Sequence, residues 1–459
     1  MPQIQLERLW LKALLFALAG YALFGRGFAY LFVGEVILIL GVLVFLPTLK
    51  FWLFFSDPVL LLWAIFAFWG FCRTVPFLSK YHFDALRDAV LWGYGVFALL
   101  IVAFVRTSDQ ISRILNTYRK FLFWYLPIVP FLVIVSTYFR NYLPALPWGN
   151  DITIIMLKAG DAAVHLTAAA LFLLIFSDRR AGSKSSGMSV YRVVGFAGWS
   201  LAATVVLIVT RAGFLAMIVP IAVVSLWKFR EIGWKVAALA VVGAMLALMM
   251  LSSELITVRV HHRNFTSDQA LENLGSILGA GHENGTEGTK EWRLIWWGEI
   301  IRYTVFGPYR WTGKGFGINL AQEDGPPGIS KEDTALRSPH NGSMTVLARM
   351  GIPGLAIWAA LNLVFVLRLL RAHRVASRAG SRFWSGVNLW ILCYWLAAFI
   401  NMSFDVYLEG PQGGIWFWSI IGFGVAAMRI QSYEARRARL QMELDALGLS
   451  DTEHALAPA

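Results

Sequence analysis

Apolar residues in this chain fall in long unbroken blocks, not in the strict alternation of a half-buried strand. Blocks of roughly twenty residues recur, each long enough to cross about 30 Å of hydrocarbon as a helix. They lie near 10–24, 28–47, 51–71, 84–105, 121–139, 152–177, 190–209, 211–228, 234–251, 342–367, 384–403 and 412–430. Continuous blocks predict helices; barrel strands would alternate inward and outward residues. The pattern therefore predicts an all-α polytopic membrane protein with twelve spans. Transmembrane helices one to nine occupy 1–251. A large, partly helical loop follows over 252–341. Helices ten to twelve occupy 342–430, and a tail runs over 431–459. The apolar stretch after Lys12 runs on to Phe24 and reads as a retained first helix, not a cleaved leader.

Charge orients these spans. An even number of crossings puts both termini on one side. Alternate connections carry Arg106/Arg113/Arg119/Lys120, Arg179/Arg180/Lys184, Lys228/Arg230/Lys235 and Arg368/Arg371/Arg374/Arg378/Arg382, while one opposite connection carries Asp405 and Glu409. Basic connections stay inside, so both termini are expected in the cytoplasm and the 252–341 loop in the periplasm. Long loops cross regardless of their own charge. The net charge of +12 is accounted for by these connections, so a nucleic-acid partner is not expected. With 58% hydrophobic and 15% charged residues, an ordinary soluble globule is excluded. Cys72 and Cys393 fall in apolar segments without metal or redox spacing.

The long loop has its own pattern. Ser267 to Leu278 reads as helical, as does Glu291 to Val305, whose Trp292, Trp296 and Trp297 suit a membrane surface. Gly281 to Gly288 and Gly325-Pro326-Pro327-Gly328 are breakers. Tyr433 to Leu447 reads as a charged amphipathic helix.

Several residues invite chemistry, each with a plainer reading beside it. In Arg337-Ser338-Pro339-His340-Asn341, Pro339 restricts Ser338 to extended backbone and delivers His340 to the mouth of a span. His340 is either a general base at the water–lipid boundary or a polar cap. Asn341 is a cap or a ligand contact. Arg211, in Thr210-Arg211-Ala212-Gly213, sits between two spans with almost no loop. It either meets an anionic partner or snorkels to lipid phosphates. Gly213 beside it would let a bulky ligand approach the backbone. Arg293 is an anion clamp or a member of a surface pair with Glu291 or Glu299. Lys158, Asp161 and His165, spaced i, i+3, i+7, would share a helix face as a polar seam, lining a groove or neutralising each other as a Lys158–Asp161 pair. Gly313-Lys314-Gly315-Phe316-Gly317 lacks the context of a nucleotide loop and reads as a tight turn that brings Lys314 near anionic headgroups. No metal-ligand spacing or Ser-His-Asp pattern is present, so neither a metal nor another cofactor is expected.

His340-Asn341, then Leu347, Gly351, Gly354 and Leu355, resembles the signature of the O-antigen ligase and polymerase superfamily. Thr210-Arg211-Ala212-Gly213, Arg293 with Trp296, and Phe306-Gly307 followed by Gly313–Gly317 agree in order. The resemblance implies a metal-independent, inverting glycosyltransferase of the GT-C type in the inner membrane of a Gram-negative bacterium. It implies a glycan donor on undecaprenyl diphosphate and, for the ligase branch, a lipid A–core acceptor. On that reading His340 activates the acceptor hydroxyl and Arg211 and Arg293 hold the diphosphate. Lys158, Asp161, Lys314, Asn341 and Trp296 support them, and the Trp296–Trp297 pair covers the donor sugar. The polymerase branch would extend another lipid-linked repeat. A polysaccharide or lipid transporter is the rival from a different class.

Overall fold

The structure, a computed structural model, describes residues 2–48, 52–147, 152–176, 190–227, 258–260, 263–265, 287–325 and 336–447. The expected ninth span (234–251), the Ser267–Leu278 helix and most of the breaker segments lie outside the described residues.

The protein is an all-α polytopic membrane protein. The elements run α1 (Pro2–Phe24), α2 (Arg26–Ala29), α3 (Val33–Phe45), α4 (Trp52–Phe55), α5 (Pro58–Tyr81), α6 (Phe83–Gly93), α7 (Val96–Phe104), α8 (Ser108–Tyr138), α9 (Ala159–Phe176), α10 (Val190–Val209) and α11 (Arg211–Trp227). A two-stranded antiparallel hairpin, β1 (Val258–Val260) with β2 (Arg263–Phe265), precedes α12 (Glu287–Thr304) and α13 (Leu320–Asp324). Then come α14 (Gly342–Arg378), α15 (Arg382–Met402) and α16 (Pro411–Ala446). Among the described residues six helices are long and apolar enough to cross a membrane, and α6 with α7 makes a seventh if that pair is one span. Large apolar side chains such as Phe16, Phe68, Phe131 and Leu363 stand exposed on the outside of the bundle. Such an apolar exterior suits hydrocarbon and not water.

Several spans are less regular than hydropathy alone suggests. The block at 84–105 is two helices bent by 44°. The block at 28–47 breaks at Phe32, which adopts a left-handed φ of 54°. The block at 51–71 becomes α5, which starts at Pro58 behind Asp57; the Asp57 carboxylate accepts from the Val59 amide at 2.9 Å. The block at 152–177 is helical only from Ala159. The Tyr433–Leu447 helix is the continuation of α16, which runs unbroken to Ala446.

The core is built around α9 and α15, almost wholly buried from end to end. Both lie inside a ring of other helices, so hydropathy could not separate their faces. The chain direction sorts the two ends of the bundle. Gly213 of α11 packs beside Ala163 of α9, and Thr167 donates to the Ala216 carbonyl at 3.2 Å, so α9 and α11 run in parallel. The N-termini of α9, α11, α14 and α16 consequently gather at one end. At the other end Arg368 of α14 pairs with buried Asp57 at 2.5 Å, and Arg106 pairs with Glu7 at 3.0 Å.

One local irregularity sets the geometry of the first end. Helix α14 opens at Gly351, whose φ is 68° and ψ −168°. That opening releases the carbonyls of the preceding turn. Ala348 O accepts from Lys314 N at 2.7 Å, Arg349 O from Gly315 N at 3.0 Å, and Met350 O from Trp69 Nε1 at 2.9 Å. Ile352 N donates back to Arg310 O at 2.8 Å. Gly313, also at positive φ (60°), comes so close that an added Cβ would meet the Arg349–Met350 backbone. The 306–317 glycine segment is thus stitched to a span by main-chain bonds. Gly351→Ala should lower stability by about 1–3 kcal/mol, because alanine is strained at that φ and its Cβ would crowd Arg310 O. A thermal melt of the purified variant checks this; an unchanged midpoint would contradict it.

Candidate functional site

His340 stands immediately before α14, and its backbone is left-handed (φ 53°), which a non-glycine residue adopts at a cost of about 1–2 kcal/mol. The surroundings hold it there. Pro339 O accepts from Trp297 Nε1 at 2.8 Å, and Asn341 caps α14 by accepting from Met344 N at 3.1 Å. The ring meets Trp292 edge to face, with centroids 5.8 Å apart. Strain at a residue of this chemistry, over-determined by its neighbours, points towards function. The geometry assigns Asn341 the cap role.

The α15–α16 turn brings Asp405 to the same place. Its Oδ1 lies 3.4 Å from His340 Nδ1 and 3.0 Å from Lys158 Nζ, and accepts from the Val406 amide at 2.7 Å. The histidine contact is long for a hydrogen bond, and Nδ1 has no other partner among the described residues. Burial works to raise the Asp405 pKa. The His340 contact and the Lys158 ammonium outweigh it and hold the carboxyl well below the usual range. Asp405 is thus an anion between two cationic or cationisable groups. Spacing could not find it: it lies 65 residues beyond His340 (405 − 340) in a short turn without a motif.

Arg293 of α12 reaches the same turn, donating from Nη1 to Phe404 O at 3.0 Å. Its guanidinium lies 5.5 Å from the centre of the Trp292 ring. Burial lowers its pKa and nearby Asp405 opposes that, yet arginine keeps its charge. Its Nε has no partner among the described residues. The Glu299 surface pair belongs to Arg302 instead, at 2.5 Å. For Arg211 only the backbone is described. It begins α11 after Thr210, whose hydroxyl accepts from Gly213 N at 3.3 Å, and so lies at the His340 end. Gly213 itself is filled by Ala163, so it serves helix packing and leaves no room for a ligand.

Lys158 precedes α9 and joins the site through Asp405. The other expected members belong elsewhere. Asp161 accepts from Asn401 Nδ2 at 3.2 Å, and His165 is buried with Nδ1 2.7 Å from the Tyr394 hydroxyl. The three do not line one open groove, and the Lys158–Asp161 pair does not form; the lack of helix before Ala159 takes Lys158 off the shared face. Lys314 is buried against Asp324 at 2.5 Å and under the Tyr303 ring, far from any headgroup role. Trp296 is only 1% exposed and donates to Asp324 at 2.6 Å, so it cannot cover a sugar. The half-buried Trp292 is the tryptophan that faces His340.

Arg337, which opens the His340 motif, has a structural task. It donates to Gly317 O at 2.9 Å and pairs with Asp88 at 3.2 Å and Asp84 at 3.5 Å. Arg349, buried at 2% exposure, meets Asp88 at 3.0 Å and donates to the Gly315 and Ile318 carbonyls. Asp88 also accepts from Gly317 N at 3.1 Å. This network locks the glycine segment, the stretch before His340 and α6 into one layer. Among the described residues no three His, Cys, Asp or Glu side chains cluster as metal ligands would.

The end of the bundle therefore presents a strained histidine, a carboxylate behind it, a half-buried arginine, a lysine, and four helix N-termini, whose partial positive charge favours anions. Comparison with curated proteins gives no match. Residues 196–359, from within α10 through the first half of α14, match the family model described as O-Antigen ligase. That segment contains the Thr210–Gly213 turn, α12 with Arg293, the glycine segment, His340 and the opening at Gly351. By this match over 196–359, and in agreement with the order of its motifs and its polytopic helical fold, the chain carries a segment similar to the O-antigen ligase family of membrane glycosyl-transfer enzymes, which supports membership of that superfamily.

Proposed function

We propose that this protein is an O-antigen ligase. It moves a glycan from undecaprenyl diphosphate to a sugar hydroxyl of lipid A–core oligosaccharide, on the periplasmic face of a Gram-negative inner membrane, with both termini cytoplasmic. The observation that carries the reading is the convergence of His340, Asp405 and Arg293 at one end of the bundle. The order of the family motifs and the basic connections between spans support it further.

The acceptor oxygen attacks the anomeric carbon while the bond from that carbon to the diphosphate oxygen breaks, taking its electron pair with the leaving group. Attack opposite the leaving group inverts the anomeric centre, as in an inverting GT-C enzyme. The hydroxyl proton passes to His340, at the ring nitrogen turned away from Asp405. Asp405 orients the imidazole and stabilises its protonated form, the part a buried carboxylate plays behind a catalytic histidine. Arg293 and Arg211 bind the diphosphate as negative charge grows on it, and Lys158 adds positive potential beside them. A diphosphate leaves without a general acid, so the chemistry demands neither metal nor another cofactor.

Purified protein given a lipid-linked donor and a lipid A–core acceptor tests this. The expected product carries both lipid A and glycan. Longer lipid-linked glycans with the acceptor untouched would make it a polymerase, and movement of lipid without bond formation would make it a transporter. In the same assay Arg293→Ala should lower the rate by about 10²–10³-fold with an unchanged melt. Normal turnover by that variant would remove the clamp. EDTA should leave the wild-type rate unchanged; inhibition reversed by a divalent ion would contradict the metal-free mechanism.

A further inference from the structure

A cavity of about 410 Å³ lies between α1, α8, α15 and α16, and His340 is not among its lining residues. Its wall is almost entirely carbon. Three aromatic residues that line it turn their polar atoms elsewhere: Trp390 Nε1 to Ala168 O at 2.9 Å, Tyr394 hydroxyl to His165 at 2.7 Å, and Trp416 Nε1 to Leu18 O at 3.0 Å. What remains facing the space are ring faces and aliphatic groups such as Ile111, Leu115 and Ala19. Besides Lys12, only the Thr117 and Tyr118 hydroxyls add polar side-chain atoms to the lining, and the Thr117 hydroxyl already donates to Arg113 O at 2.9 Å, which is too little to bind a sugar.

The rim differs. Lys12 stands at the edge of the cavity, exposed, and among the described residues it makes no hydrogen bond or ion pair. The adjoining half of α8 carries Arg113, Arg119 and Lys120. Lys12 precedes the His340 end of α1 (Phe24) by twelve residues (24 − 12), a drop of roughly 18 Å at the helical rise. The basic part of α8 lies near its start at Ser108, whereas that helix reaches the His340 end at Tyr138. Carbon walls with a basic rim on the side remote from the reaction call for a long apolar chain ending in an anion. A lipid diphosphate donor would have to present its head at the opposite end.

We propose that this cavity holds one acyl chain of an anionic phospholipid drawn from the leaflet opposite the catalytic end, with its phosphate at Lys12. The lipid would fill the gap between α1 and α8 and fasten α1, which otherwise faces hydrocarbon through Phe16, to the core. The site depends on membrane embedding only, so its failure would leave the glycosyl-transfer reading intact.

The test uses the full chain reconstituted in nanodiscs of phosphatidylcholine, with or without phosphatidylglycerol, followed by native mass spectrometry and a thermal melt. The wild type should retain one phosphatidylglycerol per chain and melt higher in its presence. Lys12→Glu, at an exposed position, should weaken that retention by at least about fivefold, the worth of one basic residue near an anionic surface. Ala19→Trp, which fills the cavity, should abolish it. Equal retention of the two lipids, unchanged retention in both variants, or recovery of detergent or a lipid diphosphate alone would overturn the proposal. Should Ala19→Trp not fold, Lys12→Glu decides alone.

Discussion

His340→Ala should cut glycan transfer by about 10²–10⁴-fold, the usual worth of a general base. The melting temperature should stay close to that of the wild type. The left-handed backbone at this position (φ 53°) is imposed by the cap and turn around it, so alanine inherits a strain already present and adds none of its own. His340→Gly gives the complementary control: glycine relieves the strain and removes the base. Both variants should be inactive and folded, which separates loss of chemistry from loss of structure. Single-turnover rates with a lipid-linked donor give the readout. Full transferase activity in either variant would remove His340 from the reaction, and Asp405 would then lose its positioning role too.

The largest effect on stability should come from Asp88→Ala. Asp88 is the shared carboxylate of Arg337 and Arg349 and accepts the Gly317 amide. Removing it leaves Arg349 buried at 2% exposure, hydrogen-bonded only to carbonyls among the described residues. Breaking a buried ion pair from one side costs about 3–5 kcal/mol, because the other charge stays unpaired. The glycine segment should loosen from α14, and activity should fall with it, though Asp88 touches no substrate in the mechanism above. Pairing Asp88→Ala with Arg349→Met should recover much of the loss, since an apolar replacement no longer needs a counter-charge. A double variant as unstable as the sum of its parts would show that the ion pair is not the reason.

Much of this layout is legible in the order of residues, for identifiable reasons. Span formation depends on hydropathy summed over twenty residues, which survives local irregularity. His340 is marked by a proline turn and a span mouth, both local signals. Asp405 and Arg349 are not marked: one enters through a turn formed much later in the chain, the other looks like a charge within a helix. Trp296 and Lys314 mislead for a common reason. Each is polar-tipped, in a segment expected at the surface, and only tertiary structure reveals that Asp324 sits between them. Lys158 and Asp161 mislead because α9 starts at Ala159, between them, so Lys158 is free to turn to Asp405 while Asp161 points to Asn401.

The opening of α14 at Gly351 also bears on how the protein comes apart. Residues 342–350 belong by sequence to a membrane span, but the Ala348 and Arg349 carbonyls accept from the Lys314 and Gly315 amides and the Arg349 side chain pairs with Asp88. They therefore form one cooperative unit with the outer layer, and the span proper begins after the break. In hydrogen exchange the amides of 345–350 should open together with Lys314 and Gly315 at one common free energy, lower than that of the amides beyond 354 on the same helix.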